Sequence, residues 1–429
     1  MLSAYHDQLI NIRRQLHQNP EEGWSEFTTT AFLVTTLRGY GYDVLLGRKV
    51  IDPEACLGRE ESVVKAGLER ARRNGVSEEL LAEMEELTGC VAVLDTGRPG
   101  PTLAIRFDID CVPVTECTDE THVPAKEGFI SKNPGFMHAC GHDGHTATLL
   151  AAARILKSME NNFAGEVRFF FQQAEEIGQG ARQFVAAGLL EGVDRIYGQH
   201  VTNTLNVGQV GVVAGPLNAS CDFFRIEVKG KGAHVSMPHK GVDALYVASQ
   251  IVVAVQSIVA RSTDPMESAV VGIGKAWAGT QYNIVAEEAV LEGTVRTFLP
   301  EVREATNRRL TDIVEKTAEM LGAKASIVIK NYSNPLINDA DATKEAKLVA
   351  QEIVGAENII TDYPKSMMAE DFADYLPHCK GTFVYFGTHS DKPGTDRPNH
   401  NGFFDIDEGG LLVACNMFVR YALYVLGTK

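Results

Sequence analysis

The order of strand-like and helix-like segments constrains the fold of this chain more than any other feature of its sequence. From about residue 89 to 215, short β-rich runs alternate with helical patterns, in the order Val91–Leu94, Thr102–Phe107, the helical Ala147–Leu156, and Val167–Phe171. Such alternation is typical of a mostly parallel sheet with crossover helices. The sequence therefore predicts an α/β domain.

A second pattern interrupts the first between about residues 219 and 332. It predicts, in order, a strand, a helix, two strands, a helix and a strand: Phe223–Val228, Val242–Ala260, Ala269–Ala276, Ala289–Phe298, Glu301–Leu321 and Ala325–Ile329. This βαββαβ order is the ferredoxin-like arrangement. The α/β pattern then resumes with a strand at Thr382–Phe386 and a helix at Gly409–Leu426. We therefore expect a discontinuous domain, residues 1–218 and 333–429, that is interrupted by an inserted α+β domain at 219–332.

The length of the chain agrees with this division, because 429 residues exceed what one hydrophobic core usually organises. A further stretch, at about 51–88, is rich in Glu, Arg, Lys and Ala and has few β-forming residues. It predicts one or two exposed helices inserted into the first domain, and the favoured interpretation is a solvated helical insertion without a specific role.

The charge of the chain argues against two classes of partner. The formal net charge is −16, which opposes binding to nucleic acid or to anionic membrane surfaces. The first residues are polar, and no run of eighteen apolar residues occurs, so we expect a cytoplasmic protein. Eight cysteines are scattered without CxxC pairs, which indicates reduced thiols rather than a disulfide framework.

One of these cysteines stands in a segment that indicates a metal site. Cys140 and His142 are separated by a single glycine, and three histidines and a cysteine fall between His138 and His145, directly before an apolar helix. A glycine-containing turn of this kind can hold ligands rigidly. A thiolate and an imidazole suit zinc best, with manganese or cobalt as alternatives. The competing interpretation is a polar turn whose histidines are satisfied by ordinary hydrogen bonds.

Other chemical residues follow predicted strands of the same domain. Glu175 and Glu176 come after a buried-looking strand, at the edge where open α/β sheets bind ligands. One carboxylate can bind metal while its neighbour acts as general base. His200 ends the next predicted strand and His400 lies in a late loop, so one Cys, three His and one Glu could hold two metals. Asp110 at a strand end either orients a ligand or caps the strand.

Several motifs together resemble one known family. They are Arg13-Arg14-Gln15-Leu16-His17 with Pro20-Glu21, Arg106-Phe107-Asp108-Ile109-Asp110 before Pro113, Met137–Thr146, Ala174-Glu175-Glu176, Gly232-Ala233-His234, Ala369-Glu370-Asp371-Phe372 and His400. On these motifs the chain is similar to the dinuclear metallopeptidases that include aminoacylases and carboxypeptidases, peptidase family M20, in their amidohydrolase branch. The resemblance covers nearly the whole chain.

The resemblance implies a role for each matching residue. The metal ligands would be Cys140, His142, Glu176, His200 and His400, for two divalent ions in each copy of the chain, either manganese or zinc. Glu175 would be the general base and Asp110 a residue that orients a ligand. The inserted domain would act as a lid and mediate dimerisation. It would contribute His234, which approaches the substrate carbonyl, and Asn283 and Arg296, which bind polar groups of the substrate.

The resemblance also implies an activity, the hydrolysis of an amide bond in a small N-acyl or N-aroyl amino acid. The insertion that begins at Gly47 and the run Leu94–Pro101 are similar to one of the two chains of aminobenzoyl-glutamate hydrolases, which favours p-aminobenzoyl-glutamate as the substrate. Other N-acyl or indole-acetyl amino acids and peptides are alternatives. The protein would be a homodimer or would pair with a homologous chain. Two further alternatives are a metal-binding member of a heteromer without catalytic activity, and a hydrolase that uses Cys140 as its nucleophile.

Overall fold

The structure is a computed structural model that describes residues 5–427. Within these residues the strands are β1 (Asp43–Leu45), β2 (Cys90–Asp95), β3 (Thr102–Asp108), β4 (Glu166–Gln172), β5 (Arg195–Asn206), β6 (Val210–Gly211), β7 (Gly215–Asn218), β8 (Cys221–Lys229), β9 (Ala269–Ala278), β10 (Glu288–Thr297), β11 (Lys324–Ser333), β12 (Leu336–Asn338), β13 (Ile359–Ile360) and β14 (Gly381–His389). The α-helices are α1 (His6–His17), α2 (Phe27–Gly39), α3 (Glu61–Arg73), α4 (Glu78–Met84), α5 (Val123–Glu127), α6 (His142–Ser158), α7 (Gly180–Ala186), α8 (Ala244–Ser257), α9 (Pro300–Met320), α10 (Ala340–Val354) and α11 (Gly410–Leu426).

The chain divides into two compact units. The first comprises the residues up to Gly215, Asn338–Pro364 and the residues from Asp374 onward. The second comprises Pro216–Ile337 and Lys365–Ala373. Each unit has its own cluster of buried apolar side chains, as two separately organised domains require.

An eight-stranded sheet organises the first unit, with the strand order β1-β2-β4-β3-β5-β14-β6-β13. The four central neighbours, β4, β3, β5 and β14, run parallel to one another. Their side chains are largely buried, which accounts for the many apolar residues of β3, β4 and β14. Parallel strands bring their carboxyl ends to one edge of the sheet, and the predicted α/β fold with a mostly parallel sheet is confirmed.

Helix α6 is the central helix of this unit. It packs against α1, α11 and β3, and all but a few of its side chains are buried. Its small residues, such as Ala147, Ala151 and Ala152, allow the neighbouring helices to approach closely. The helix begins at His142, so its first residue already belongs to the predicted metal turn.

The stretch at 51–88 forms α3 and α4, but these helices are not simply exposed. Val64, Leu68 and Ala71 recur at helical spacing on α3, and they are buried in the core of the first unit. Gly67 lies on the same face, where an added Cβ would come within 2.8 Å of the Ser25 side chain. The expectation of exposed helices was therefore wrong for one face of α3. The many charged residues of this helix made its regularly spaced apolar residues difficult to recognise in the sequence.

A four-stranded antiparallel sheet with two helices forms the second unit. The strand order is β11-β8-β10-β9, and α8 and α9 bury their apolar faces in the same cluster. This is the βαββαβ, ferredoxin-like arrangement that the sequence predicts. Helix α8 begins after Asp243, whose carboxylate accepts hydrogen bonds from the backbone N–H groups of Leu245 and Tyr246.

The segment Ala244–Ser262, α8 with its continuation, is long and apolar enough to cross a membrane by length and composition alone. One face of the helix, including Val247, Ile251 and Val255, is buried in the core of the second unit. A buried core helix passes the same test as a membrane span, and this packing accounts for the apolar residues on that face.

Candidate metal centre

The turn between Ala139 and α6 presents two side chains to one edge of the parallel sheet. Gly141 separates Cys140 from His142 and has a φ of +83°, in the left-handed region. An added Cβ at Gly141 would lie 2.6 Å from Val201 Cγ2. Glycine is therefore required both by the backbone conformation and by the contact with β5. This local geometry places the Cys140 thiol and the His142 imidazole on the same side of the turn.

Two groups of candidate ligands meet at this turn. The donor atoms of Cys140, His142 and His200 lie within 4.8 Å of one another, and so do those of Cys140, Glu176 and His400. Cys140 Sγ is 3.5 Å from His200 Nε2. Glu176 lies between the groups, with one oxygen 3.6 Å from His142 Nε2 and the other 3.2 Å from His400 Nε2. All five predicted ligands are thus brought together, and the two groups share Cys140.

His200 lies in the middle of a strand, whereas the sequence analysis placed it at the end of one. Strand β5 continues to Asn206, and His200 lies within it, opposite Tyr385 of β14. Its Nδ1 lies 2.7 Å from the carbonyl oxygen of Val201, which orients Nε2 toward Cys140. The predicted strand was too short because the polar residues after Val201 gave no apolar signal.

Asp110 contacts two of the candidate ligands. Its backbone oxygen is 3.0 Å from His142 Nδ1, and its side chain accepts a hydrogen bond of 3.0 Å from the backbone N–H of Glu176. A proton on His142 Nδ1 leaves Nε2 as the atom with a free lone pair. Asp110 therefore orients one imidazole and also fixes the backbone of one carboxylate.

Two buried side-chain atoms without hydrogen-bond partners bear on whether these residues could bind a cation. Within residues 5–427, His142 Nε2 and Glu176 Oε1 are buried and have no hydrogen-bond partner. Burial raises the pKa of the Cys140 thiol well above its ordinary value, and the carboxylates of Glu176 and Glu175 raise it further. A thiolate here needs a nearby positive charge. The sulfur, nitrogen and oxygen donors together fit divalent transition-metal ions.

Glu175 lies beside these groups without belonging to either Cys140 cluster. Its carboxylate, the Glu176 carboxylate and the His142 imidazole have donor atoms within 4.8 Å of one another. The preceding residue, Ala174, has a φ of +54°, which is rare for a residue with a side chain. This bend lets two consecutive carboxylates take different directions at the end of β4.

The other two histidines of this segment, His138 and His145, occupy different environments. His145 Nδ1 is 2.6 Å from Asp108 Oδ1, and His145 Nε2 accepts a hydrogen bond from the backbone of Val201. Its ring also stacks on Phe107. His138 is buried, and burial lowers its pKa to about 3. His145 therefore has both ring nitrogens occupied by protein partners.

Sequence reasoning missed two residues that contact the centre. Asp108, at the end of β3, bonds to His145 and forms an ion pair with Arg106 at 2.9 Å. The Nδ2 of Asn399 donates to Cys140 Sγ at 3.2 Å. The signal for Asp108 was its position at the end of a predicted strand, two residues before Asp110. For Asn399 the only signal was that it directly precedes His400 in the sequence.

A buried network of charged side chains contacts Asp143, the residue that follows His142. Arg13 of α1 donates to Asp143 at 2.9 Å, to Asp405 at 2.5 Å and to Glu408 at 3.2 Å. His17 lies between the carboxylates of Asp143 and Glu116, at 2.7 and 2.9 Å. Burial alone lowers the pKa of His17, but the hydrogen bonds to these two carboxylates outweigh it and raise the pKa to about 9. His17 is therefore protonated at neutral pH.

We expect His17→Gln to destabilise the protein in a pH-dependent way. The folded-state pKa of about 9 exceeds the ordinary value of 6.5, so the charged imidazole stabilises the fold. Its contribution, about 3 kcal/mol, is complete below about pH 6.5 and disappears as the pH rises through about 9. Urea unfolding at pH 6 and pH 9.5 checks this, with the exposed His378→Gln as control. Equal losses at both pH values would contradict it.

The remaining predicted site residues lie in the second unit. His234 pairs with Ile284 through a β-bridge, and its Nδ1 is 2.7 Å from the hydroxyl of Ser236. The backbone oxygen of Asn283 accepts from the N–H of Val235 at 3.1 Å, so the loops of His234 and Asn283 lie together. Arg296 is partly buried on β10, opposite Val270 of β9.

Comparison with known proteins gives a family and several full-length relatives. The profile of peptidase family M20/M25/M40 matches residues 104–424. The chain is 37% identical to N-acetyl-L-cysteine deacetylase of Bacillus subtilis, over 100% of this chain and 90% of the relative. It is 34% identical to a p-aminobenzoyl-glutamate hydrolase homolog of Haemophilus influenzae, over 96% and 97% of the two chains.

A solved structure extends the likeness to three dimensions. The YXEP protein of Bacillus subtilis, described as a dinuclear metal-binding peptidase of the M20 family, superimposes with a TM-score of 0.78. It is 33% identical in sequence, and the match covers 100% of both chains.

Proposed function

The chain belongs to peptidase family M20/M25/M40, and from this premise we propose that it hydrolyses the amide bond of small N-acyl or N-aroyl amino acids. One observation carries this proposal. Two groups of candidate ligands share the Cys140 thiol, and the Glu175 carboxylate lies beside them at the same edge of the sheet. This arrangement suits a two-metal hydrolase, in which a carboxylate beside the metal ligands accepts the proton of the water and returns it to the leaving group.

We assign five residues to the metals. Cys140 belongs to both groups of donors and would hold the metals together with His142 and His200 in one group and with Glu176 and His400 in the other. Zinc and manganese are the metals we propose, since thiolate and imidazole ligands favour zinc, while the Glu176 carboxylate suits manganese. Asp110 orients His142 and holds the backbone of Glu176. When bound, the cations supply Lewis-acid chemistry that activates water and polarises the amide carbonyl.

The protein's own residues then move the proton and hold the substrate. Glu175 accepts a proton from the attacking water and returns it to the leaving amine. His234 donates a hydrogen bond to the amide carbonyl oxygen, where negative charge develops. The guanidinium of Arg296 and the amide of Asn283 bind the polar end of the substrate, with Arg296 suited to a free carboxylate.

Two substrates follow from separate observations. The insertion at 51–88 and the similarity to the Haemophilus influenzae homolog favour p-aminobenzoyl-glutamate. The similarity to the Bacillus subtilis deacetylase favours N-acetylcysteine as a second candidate. Both compounds are N-acyl amino acids with a free carboxylate, which is the substrate class that we propose.

The proposal also includes assembly as a homodimer or as a pair with a homologous chain. Leu245, Tyr246 and Val253 of α8 are exposed, each by more than half of its surface, although Val247 and Ile251 of the same helix are buried. Exposed apolar side chains on one helix face are typical of protein contact surfaces. A cytoplasmic location remains a prediction from the sequence.

The experiment that tests the proposal measures hydrolysis by the purified chain, reconstituted with zinc or manganese. The panel contains p-aminobenzoyl-glutamate, N-acetylcysteine, other N-acetyl amino acids and the methyl esters of each. We expect metal-dependent turnover of the free acids and a KM at least about tenfold higher for the esters, because an ester cannot pair with a guanidinium. Two bound metals per chain without any turnover would instead favour a non-catalytic member of a heteromer.

A further inference from the structure

A buried carboxyl group that has no part in the proposed mechanism lies beside the segment that carries Glu175. Glu26 directly precedes α2 and is fully buried. It does not cap its own helix, since the backbone N–H groups of Thr28 and Thr29 donate to Glu21 instead. Within residues 5–427, Glu26 forms no ion pair with a lysine or arginine. Neither a helix cap nor a paired cation therefore offsets the cost of burying this acid.

The hydrogen bonds of Glu26 reach across the fold. One carboxyl oxygen accepts from the backbone N–H of Ala174 at 2.9 Å. The other accepts from the hydroxyl of Thr88 at 2.6 Å. Both partners are buried, so water cannot replace either bond without rearrangement. Glu26 thus connects the start of α2 with the end of β4, 148 residues away in sequence.

Ala174 is the residue whose conformation directs Glu175. Its φ of +54° lies in the left-handed region, which costs a residue with a side chain about 1 kcal/mol or more. Its carbonyl oxygen accepts from the N–H groups of Gln179 and Gly180, both at 3.2 Å. With its N–H held by Glu26, both polar groups of this residue are fixed. A backbone conformation of this kind persists only where its surroundings enforce it.

We propose that Glu26 is a positioning residue, which holds Ala174 in its left-handed conformation and thereby aims the Glu175 carboxylate at the attacking water. This inference rests on the proposed function, in which Glu175 is the general base. Loss of the Glu26 carboxyl lets the Ala174 peptide relax, and the base then spends less time in line with the water. Misplacement of a catalytic group by about 1 Å can lower a rate by about 100-fold.

The test compares Glu26→Ala with Glu26→Gln. Burial raises the pKa of Glu26 well above its ordinary value, and Asp110 adds to the rise, so a neutral amide of the same shape is a close substitute. Glutamine can accept from Ala174 through its carbonyl oxygen, and its amide N–H can donate to Thr88. We expect Glu26→Ala to lower kcat by about 10- to 100-fold, with KM within about twofold and both metals retained. Glu26→Gln should keep at least about half of kcat. Thr88→Val, a milder change, should lower kcat in the same direction.

The matched control is Glu21→Ala, which removes a carboxylate from the same segment and uncaps α2. We expect it to lower the melting temperature and leave kcat unchanged. An equal fall in kcat for Glu21→Ala would overturn the proposal, since any destabilisation of the segment would then suffice. Loss of metal from Glu26→Ala, or equal losses for the alanine and glutamine variants, would also overturn it. Retained turnover in Glu175→Gln removes the base assignment itself, whereas normal kcat in Glu26→Ala removes only the positioning role.

Discussion

Replacing Glu175 with glutamine is expected to lower kcat by about 10³- to 10⁴-fold, while the protein keeps two bound metals. Glutamine has the same shape as glutamate but cannot accept the proton of the attacking water. Because Glu175 is absent from both groups that contain Cys140, its replacement should not remove a metal ligand. KM should change little, since the carboxylate acts in the transition state more than in substrate binding.

Three measurements make this experiment decisive: kcat and KM on the best substrate of the panel, metal content per chain, and thermal unfolding. The control is Glu191→Gln, which removes a carboxylate from an exposed position of the same unit and should leave kcat unchanged. Loss of one metal from Glu175→Gln would reassign Glu175 as a ligand. Turnover at the wild-type rate with both metals bound would remove it from the mechanism.

Structural features that depend on residues close together in the chain were predicted from the sequence. The alternation that gives β3, α6 and β4, and the βαββαβ order of the second unit, depend on local apolar periodicity and on common connection rules. The turn at Cys140 and His142 was recognisable because its residues are adjacent in the chain. Glu175 and Glu176 were recognisable because they follow a strongly apolar strand.

Features that depend on contacts between distant segments could not be predicted in the same way. No local pattern indicates that Arg13 meets Asp405, or that Glu26 meets Ala174, because each contact depends on how helices pack against the finished sheet. His400 completed a possible set of five ligands, but its assignment as a ligand depended on the family resemblance, since nothing in its loop distinguishes it from a surface histidine. The buried face of α3 was missed because its charged residues outnumber its apolar ones.

Replacing Cys140 separates the metal-ligand role from that of a nucleophile. Cys140→Ala removes one donor from each group, and leaves His142 with His200 and Glu176 with His400. Two donors per ion bind weakly, so we expect loss of both metals and of at least about 10³-fold in kcat/KM. Cys140→Asp restores an anionic donor that both groups share and should recover metal binding, with a shift in preference from zinc toward manganese, because carboxylate oxygen is a harder ligand than thiolate.

If Cys140 were the nucleophile, the metal content and turnover of these two variants would differ from the results expected above. Burial and the carboxylates of Glu176 and Glu175 raise the pKa of the Cys140 thiol, so little free thiolate exists to attack an amide unless a cation is bound. If Cys140 were nonetheless the nucleophile, Cys140→Ala would keep its metals and lose all turnover, and Cys140→Asp would be equally inactive. Metal analysis of both variants, with turnover measured in excess zinc and in excess manganese, distinguishes the two mechanisms. Recovered turnover in manganese-loaded Cys140→Asp is the result we expect, because an anionic metal ligand can be replaced by another anion whereas a nucleophilic thiol cannot.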